Sequence, residues 1–127
     1  MRAIIQASRM EVFDNRTLRL TPAQVKARTG CTHVINGWVF STGLKLCDDC
    51  IVNGQVLSKS KYNDWGLGCG ASGGPLMTTD RALSWFTSAA PILKGRKKLK
   101  RNLTPDVARP AKRTAVGWLA DGRVLLW

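Results

Sequence analysis

Long apolar runs are missing from this chain. No stretch approaches the roughly 20 apolar residues that a bilayer-spanning helix needs. At the N-terminus, Arg2 is followed only by Ala3-Ile4-Ile5 before Gln6, too little for the apolar region of a signal peptide. The protein is therefore expected to be cytoplasmic when made, and released or virion-associated if it acts outside the cell, as a phage-encoded wall-acting protein freed by lysis would be. Acidic charge is also scarce, with 8 Asp and Glu against 20 Lys and Arg, a formal charge of +12. Such a surface attracts polyanions, which include nucleic acid, teichoic acids, phosphosugars and anionic membranes.

Two kinds of catalytic signature are incomplete. Residues 62–74 are rich in glycine, with Gly66, Gly68, Gly70, Gly73 and Gly74 interleaved with Trp65 and Leu67. They lack the Lys-Ser/Thr ending of a phosphate-cradling loop and read instead as loop and strand edges lining a pocket. Gly70-Ala71-Ser72-Gly73-Gly74-Pro75-Leu76 resembles the nucleophile loop of chymotrypsin-like proteases, but Ala71 stands where an aspartate should precede the serine. The single histidine, His33, lacks the expected flanking pattern, and a Ser-His-Asp arrangement is defined by geometry rather than by such a fragment.

The cysteines leave three states open: free buried thiols, a structural zinc site, or disulfides. Cys31, Cys47, Cys50 and Cys69 include one Cys-x-x-Cys, and four thiolates suit tetrahedral zinc. A zinc module usually pairs two tight knuckles, however, and here Cys31 and Cys69 stand alone. A redox role for Cys47-Asp48-Asp49-Cys50 is disfavoured by the two carboxylates, which oppose thiolate formation. Nothing else in the sequence calls for a cofactor.

What is present reads as one domain. A chain of 127 residues with 44% hydrophobic content has room for a core and is not broadly disordered. Ala3-Ile4-Ile5 and Met10-Glu11-Val12 read as one or two strands, and Asp14-Asn15 as a turn. Thr21, Pro22 and Gln24 form a capping box with proline at the first helical position, and Gly30 is the stop, so a helix is expected over 21–28. Val34-Ile35 and Trp38-Val39-Phe40 read as strand on either side of Asn36-Gly37. Glycine inside such a run marks a bulge or the close approach of a ligand, and Asn36 brings a donor and an acceptor to the same point; an ordinary hairpin turn is the alternative. Asn53-Gly54 signals another hairpin between Ile51-Val52 and Gln55-Val56-Leu57. Thr78-Thr79-Asp80 reads as a turn, the state of residues 83–86 stays open between helix and strand, and Thr104-Pro105-Asp106-Val107 reads as a single helical turn. In residues 94–101, six of eight positions are basic. That block is a solvated loop or, with Lys112 and Arg113, a surface that steers a phosphate-bearing ligand.

At the C-terminal end, Thr114 to Leu119 and Arg123 to Trp127 flank Asp121-Gly122 and should pair as antiparallel strands. Arg113 stands at the mouth of the first, where a stiff strand would hold a guanidinium fork that matches phosphate or carboxylate. The expected class is α+β, mostly antiparallel strands and hairpins with one or two short helices.

Arg113-Thr114-Ala115-Val116-Gly117-Trp118-Leu119-Ala120-Asp121-Gly122-Arg123-Val124 resembles the Arg-Thr-Ala-Ile-Gly segment and following Asp-Gly turn of the phosphodiester glycosidases. His33-Val34-Ile35-Asn36-Gly37-Trp38-Val39-Phe40 is similar to that family's Ala-Ile-Asn-Gly-Gly-Phe-Phe segment, and Ala90-Pro91-Ile92-Leu93-Lys94-Gly95 to its Pro-x-Leu-Val segment. The segments occur in the family's order over residues 20–127. Two departures stand out: Trp38 replaces the second glycine, and the family's later Leu-Asp-Gly-Gly-Gly-Ser segment is absent.

The resemblance implies a phosphodiester glycosidase-like fold and a hydrolase that acts on, or binds, a sugar linked through phosphate, in a bacterial or phage setting. It implies Arg113 at the phosphate leaving group and Asn36 orienting substrate, with Gly37, Thr114 and Lys112 also binding it. The acid–base carboxylates would come from Glu11, Asp48, Asp49 and Asp80, with Asp80 the catalytic candidate. It also implies that residues 1–127 are an incomplete domain, inactive in this form for want of the missing segment. The apolar end Val124-Leu125-Leu126-Trp127 would then be covered by that segment or by a homodimer partner. The alternative function is a basic, non-catalytic binding module for nucleic acid or another polyanion.

Overall fold

The computed structural model describes residues 2–36, 43, 45–46, 48–60, 65–70, 73–89, 91, 93–94, 97–98 and 114–127. The capping signals produce the helix where they place it. The Thr21 hydroxyl accepts the Gln24 backbone N–H, and the Gln24 side-chain oxygen accepts the Thr21 N–H at 2.8 Å. From this cap α1 (Pro22–Thr29) runs to Gly30, which is left-handed with φ 71°. Val25 is its one buried residue, and no strand packs against it among the described residues. Local capping, which contributes about 1 kcal/mol, therefore matters more to α1 than sheet packing. Before α1, Asn15 closes the expected turn: its side chain bonds both the N–H and the carbonyl of Leu20.

The main sheet is antiparallel and five-stranded. Its strands are β2 (Cys50–Val52), β3 (Gln55–Ser58), β4 (Gly66–Cys69), β5 (Leu76–Thr78) and β6 (Trp85–Ser88), in the order β3-β2-β6-β4-β5. The β2–β3 turn is Asn53-Gly54, with φ of 49° and 77°. Both are positive, as the tight hairpin turn requires. Of residues 83–86, open between helix and strand from the sequence, Trp85 and Phe86 begin β6, which fills the gap between β2 and β4.

Within the glycine-rich stretch, residues 66–69 are not the strand edge that its composition suggests, whereas Gly70, Gly73 and Gly74 lie in loop. β4 lies inside the sheet, hydrogen-bonded to β5 and β6, and Gly66 and Gly68 are buried there. The reason lies on the neighbouring strand. The fully buried Phe86 ring occupies the space that a side chain at Gly66 would need, and Leu83 Cδ1 stands in that of a side chain at Gly68. The Arg81 guanidinium lies over the ring, 3.9 Å from its centroid. Together with Ile51 and Cys69, Phe86 forms the core of the sheet.

A second sheet joins the two ends of the chain: β1 (Ala3–Ile5), β10 (Val124–Leu126) and β9 (Val116–Trp118), in that order. This corrects the expected exposed edge. Strand β10 is central, flanked by β9 and by the chain's own β1, with Ile5 opposite Val124 and Ala3 opposite Leu126. The edge thus needs neither a further segment nor a second copy to pair it. The second sheet is tied to the main one by Trp118, whose Nε1–H donates at 3.0 Å to the carbonyl of Pro75, just before β5. The segment after β1 is tied to β4 by Cys69, whose Sγ–H donates to the Met10 carbonyl at 2.8 Å.

Of the one or two strands read in residues 3–12, β1 is the one that forms among the described residues. Met10-Glu11-Val12 and Val34-Ile35 have no ladder partner among them, and Ile35 is exposed. Residues 104–107 lie outside the described residues. The last element is a two-stranded hairpin, β7 (Leu93–Lys94) with β8 (Lys97–Lys98), which gives regular structure to a block that composition alone left as a solvated loop. The protein is thus a small α+β fold, mostly antiparallel strands with one helix among the described residues. No helix among them is long and apolar enough to cross a membrane.

Candidate functional site

The hairpin β9–β10 builds the best-defined framework for a site. Leu119 N–H donates to the Arg123 carbonyl at 2.9 Å, and Gly122 N–H to the Leu119 carbonyl at 3.0 Å, so the turn spans Ala120-Asp121-Gly122. It is one residue longer than the tight turn read from Asp121-Gly122. Gly122 has φ 83°, the left-handed position that lets a three-residue loop rejoin the ladder. At the other end, Ala115 and Trp127 exchange both backbone hydrogen bonds, at 2.7 and 2.9 Å. Thr114 is exposed immediately outside this locked pair. Arg113 and Lys112, which precede it, lie outside the described residues, as does Gly37.

Strand β1 delivers a cation to the same sheet end. The Arg2 guanidinium carbon stands 5.6 Å from the centroid of the Trp127 ring. Local sequence could not have located it there, because the pairing of residues 3–5 with 124–126 is long-range.

The other candidates sit apart from any shared machinery. Asn36 is exposed at the end of an irregular segment. Asp80 occupies the β5–β6 connection as a turn-former: its N–H donates to Thr78 Oγ1 at 3.0 Å and its Oδ1 accepts the Ala82 N–H at 2.8 Å. No hydrogen bond or ion pair joins Asn36, Asp80 and Thr114. His33 bonds Thr32 Oγ1 through Nδ1 on the exposed surface, and Ser72 is outside the described residues.

Four carboxylates are each paired with an arginine: Glu11 with Arg9, Asp14 with Arg16, Asp49 with Arg81 and Asp121 with Arg123, at 2.7–2.8 Å. The Arg16 fork holds the Asp14 carboxyl below its ordinary value against a smaller opposing effect of burial, and Arg123 does the same to Asp121. Carboxyls held ionised in this way are poor proton donors near neutrality. By contrast, Arg19, Lys26, Arg28, Lys59 and Lys97 have no carboxylate partner among the described residues. The electrostatic surplus is thus cationic and accessible.

Among the cysteines, Cys31 is half-buried, whereas Cys50 and Cys69 are buried on separate strands; all three are free thiols. Burial pushes both the Cys50 and the Cys69 thiol up, away from thiolate. Cys47 lies outside the described residues, and no three His, Cys, Asp or Glu are grouped for a metal among those described. Because the thiolate is the reactive form, iodoacetamide at pH 8 should label Cys31 readily and Cys50 and Cys69 only after denaturation. Peptide mass spectrometry before and after guanidinium checks this. Native labelling of Cys69 at the rate of Cys31 would show that the Met10 staple opens freely.

No protein-family model, curated protein or solved structure matches the chain.

Proposed function

We propose that the chain is a phosphodiester glycosidase-like domain that binds a phosphate-linked sugar through its cationic surface. The observation that carries this is the end of the β9–β10 hairpin, formed by the segment that bears the family resemblance. Arg113 directly precedes Thr114 in the sequence, and Thr114 stands beside the doubly bonded Ala115–Trp127 pair. Arg2 adds charge at the same end. In this role the Arg113 fork receives the phosphate, Asn36 offers an amide to the sugar, and Thr114 offers a hydroxyl. Of the named acid–base candidates, Glu11 and Asp49 are paired with arginines and Asp80 serves as a turn-former, so binding is better supported than hydrolysis, which needs a positioned pair of carboxyl groups.

A second reading is a nucleic-acid module, favoured by the net charge of +12. Against it, no aromatic residue occurs between Phe86 and Trp118, the stretch that holds most of the basic block. Single-stranded nucleic-acid sites rely on such rings to stack bases.

Titration calorimetry separates the two. A sugar-1-phosphate diester should bind the wild type, and Arg113→Lys should weaken it at least about tenfold, or about 1.4 kcal/mol, because an ammonium keeps the charge but not the two parallel hydrogen bonds. Heat with single-stranded RNA and none with the diester, or an Arg113→Lys variant equal to wild type, would reject the phosphosugar assignment.

A further inference from the structure

We propose that the β7–β8 hairpin is a phosphate-binding element for a sugar- or polyol-phosphate polymer, the extended form of the ligand class proposed above. The inference rests on that phosphosugar reading and adds a second contact point to it.

The register is the starting observation: Lys94 pairs with Lys97, and Leu93 with Lys98. Like charges directly opposite one another destabilise an antiparallel pair. A ladder of two residues per strand has little to set against that repulsion, and among the described residues this one joins neither of the larger sheets. Two-stranded hairpins are marginal even without like charges. The usual remedy is a neighbouring carboxylate, yet every charged residue from 82 to 105 is basic. Lys97 is exposed, with no carboxylate partner among the described residues.

An external anion satisfies this arrangement. A phosphodiester shared by paired lysines turns their repulsion into two attractions, and lysine serves phosphate as a compact point charge. The lack of aromatic residues between Phe86 and Trp118 selects among polyanions, since the hairpin's own stretch offers no ring for a base. A polymer of sugar or polyol phosphates needs none.

The test uses a glycerol-phosphate oligomer of defined length and a single-stranded RNA with the same number of phosphates. Two variants are compared with the wild type: Lys94→Glu, which sets a carboxylate opposite Lys97, and the double variant Lys94→Gln/Lys97→Gln. Lys26→Glu on α1 serves as a control of equal charge change. Both hairpin variants should bind the oligomer at least tenfold more weakly. The slope of log affinity against log salt should fall by about 1.4 for two lost phosphate contacts on a flexible strand. The thermal midpoint of Lys94→Glu without ligand should hold or rise, because a repulsive pair has become an attractive one. Loss of binding with gain of stability separates a ligand contact from a structural one.

If the wild type binds the oligomer but Lys94→Glu matches it in affinity and slope, the hairpin assignment is overturned and the phosphosugar reading survives. A lowered midpoint that tracks the loss of binding overturns the hairpin assignment as well. Preference of the wild type for RNA transfers the surface to nucleic acid and overturns the sugar-polymer proposal. Failure to bind either the oligomer or the simple diester removes both the phosphosugar reading and this one.

Discussion

Asp49→Ala should lower the unfolding free energy by about 3–5 kcal/mol, the usual cost of breaking a buried ion pair by removing one partner. Asp49 is 6% exposed, and its carboxylate holds three parts of the main sheet together. Oδ1 accepts the Ser60 N–H at 2.8 Å, just beyond β3. Oδ2 accepts Nε and Nη2 of Arg81, at 3.0 and 2.8 Å, from the β5–β6 connection. The Asp49 backbone carbonyl meanwhile accepts the Ser88 N–H on β6 at 3.1 Å. Removal of the carboxylate therefore takes its acceptor from the part-buried Ser60 N–H and releases the guanidinium that covers Phe86.

The Arg81 side chain is 23% exposed and can recover some hydration, which puts the expected loss near the lower end of that range. Asp49→Asn should cost less, since an amide oxygen still accepts one bond. Asp49→Ala/Arg81→Met should regain part of the loss, because an apolar chain can lie on the Phe86 ring with no charge left buried. Urea denaturation of the three variants measures this. Additive losses in the double variant would show that Asp49 and Arg81 act independently, contrary to the geometry.

The same pair shows where local reading stops. Asp49 looks like an available acid in the sequence, beside Asp48 and two residues from Cys47. Its partner lies 32 residues away, so nothing nearby signals that the carboxylate is committed. Features that depend on a few adjacent residues were legible: the Thr21/Gln24 box, the Gly30 stop, the Asn53-Gly54 turn and the terminal hairpin each follow from local conformational preference. Features that depend on distant pairing were not. The addition of β1 to β10 turned an expected exposed edge into the middle of a sheet, and the placement of β6 decided a segment with no period of its own. Val34-Ile35 failed in the opposite sense, with strand-forming side chains but no neighbouring strand among the described residues to receive them. As for the site, Thr114, Asn36 and Asp80 are located, whereas Arg113, Lys112 and Gly37 lie outside the described residues, so the sequence remains the source for their roles.

Gly66→Ala should destabilise the protein by about 3 kcal/mol, at the upper end of what overpacking a core costs. In isolation the substitution would help, because alanine restricts the unfolded chain and gains about 0.4–1 kcal/mol. At Gly66 the surroundings reverse the sign. A methyl there would overlap Phe86 at Cζ and stand 2.6 Å from the Thr87 carbonyl oxygen. The backbone oxygen cannot step aside without disturbing β6, and the ring, fully buried with Arg81 packed over it, has little room to move. Gly68→Ala is the informative comparison. Its nearest obstacle is Leu83 Cδ1 at 2.5 Å, the far end of a flexible side chain, so a rotamer change should hold the cost to about 1 kcal/mol. Shortening the ring provides the decisive control. Phe86→Leu vacates the space that the new methyl needs, and Gly66→Ala/Phe86→Leu should be more stable than the sum of the single effects by at least about 1 kcal/mol, as expected for residues that share one volume. A Gly66→Ala protein within about 0.5 kcal/mol of wild type, the range of ordinary surface substitutions, would mean that the Phe86 ring does not lie across β4. The sheet core would then need a different account.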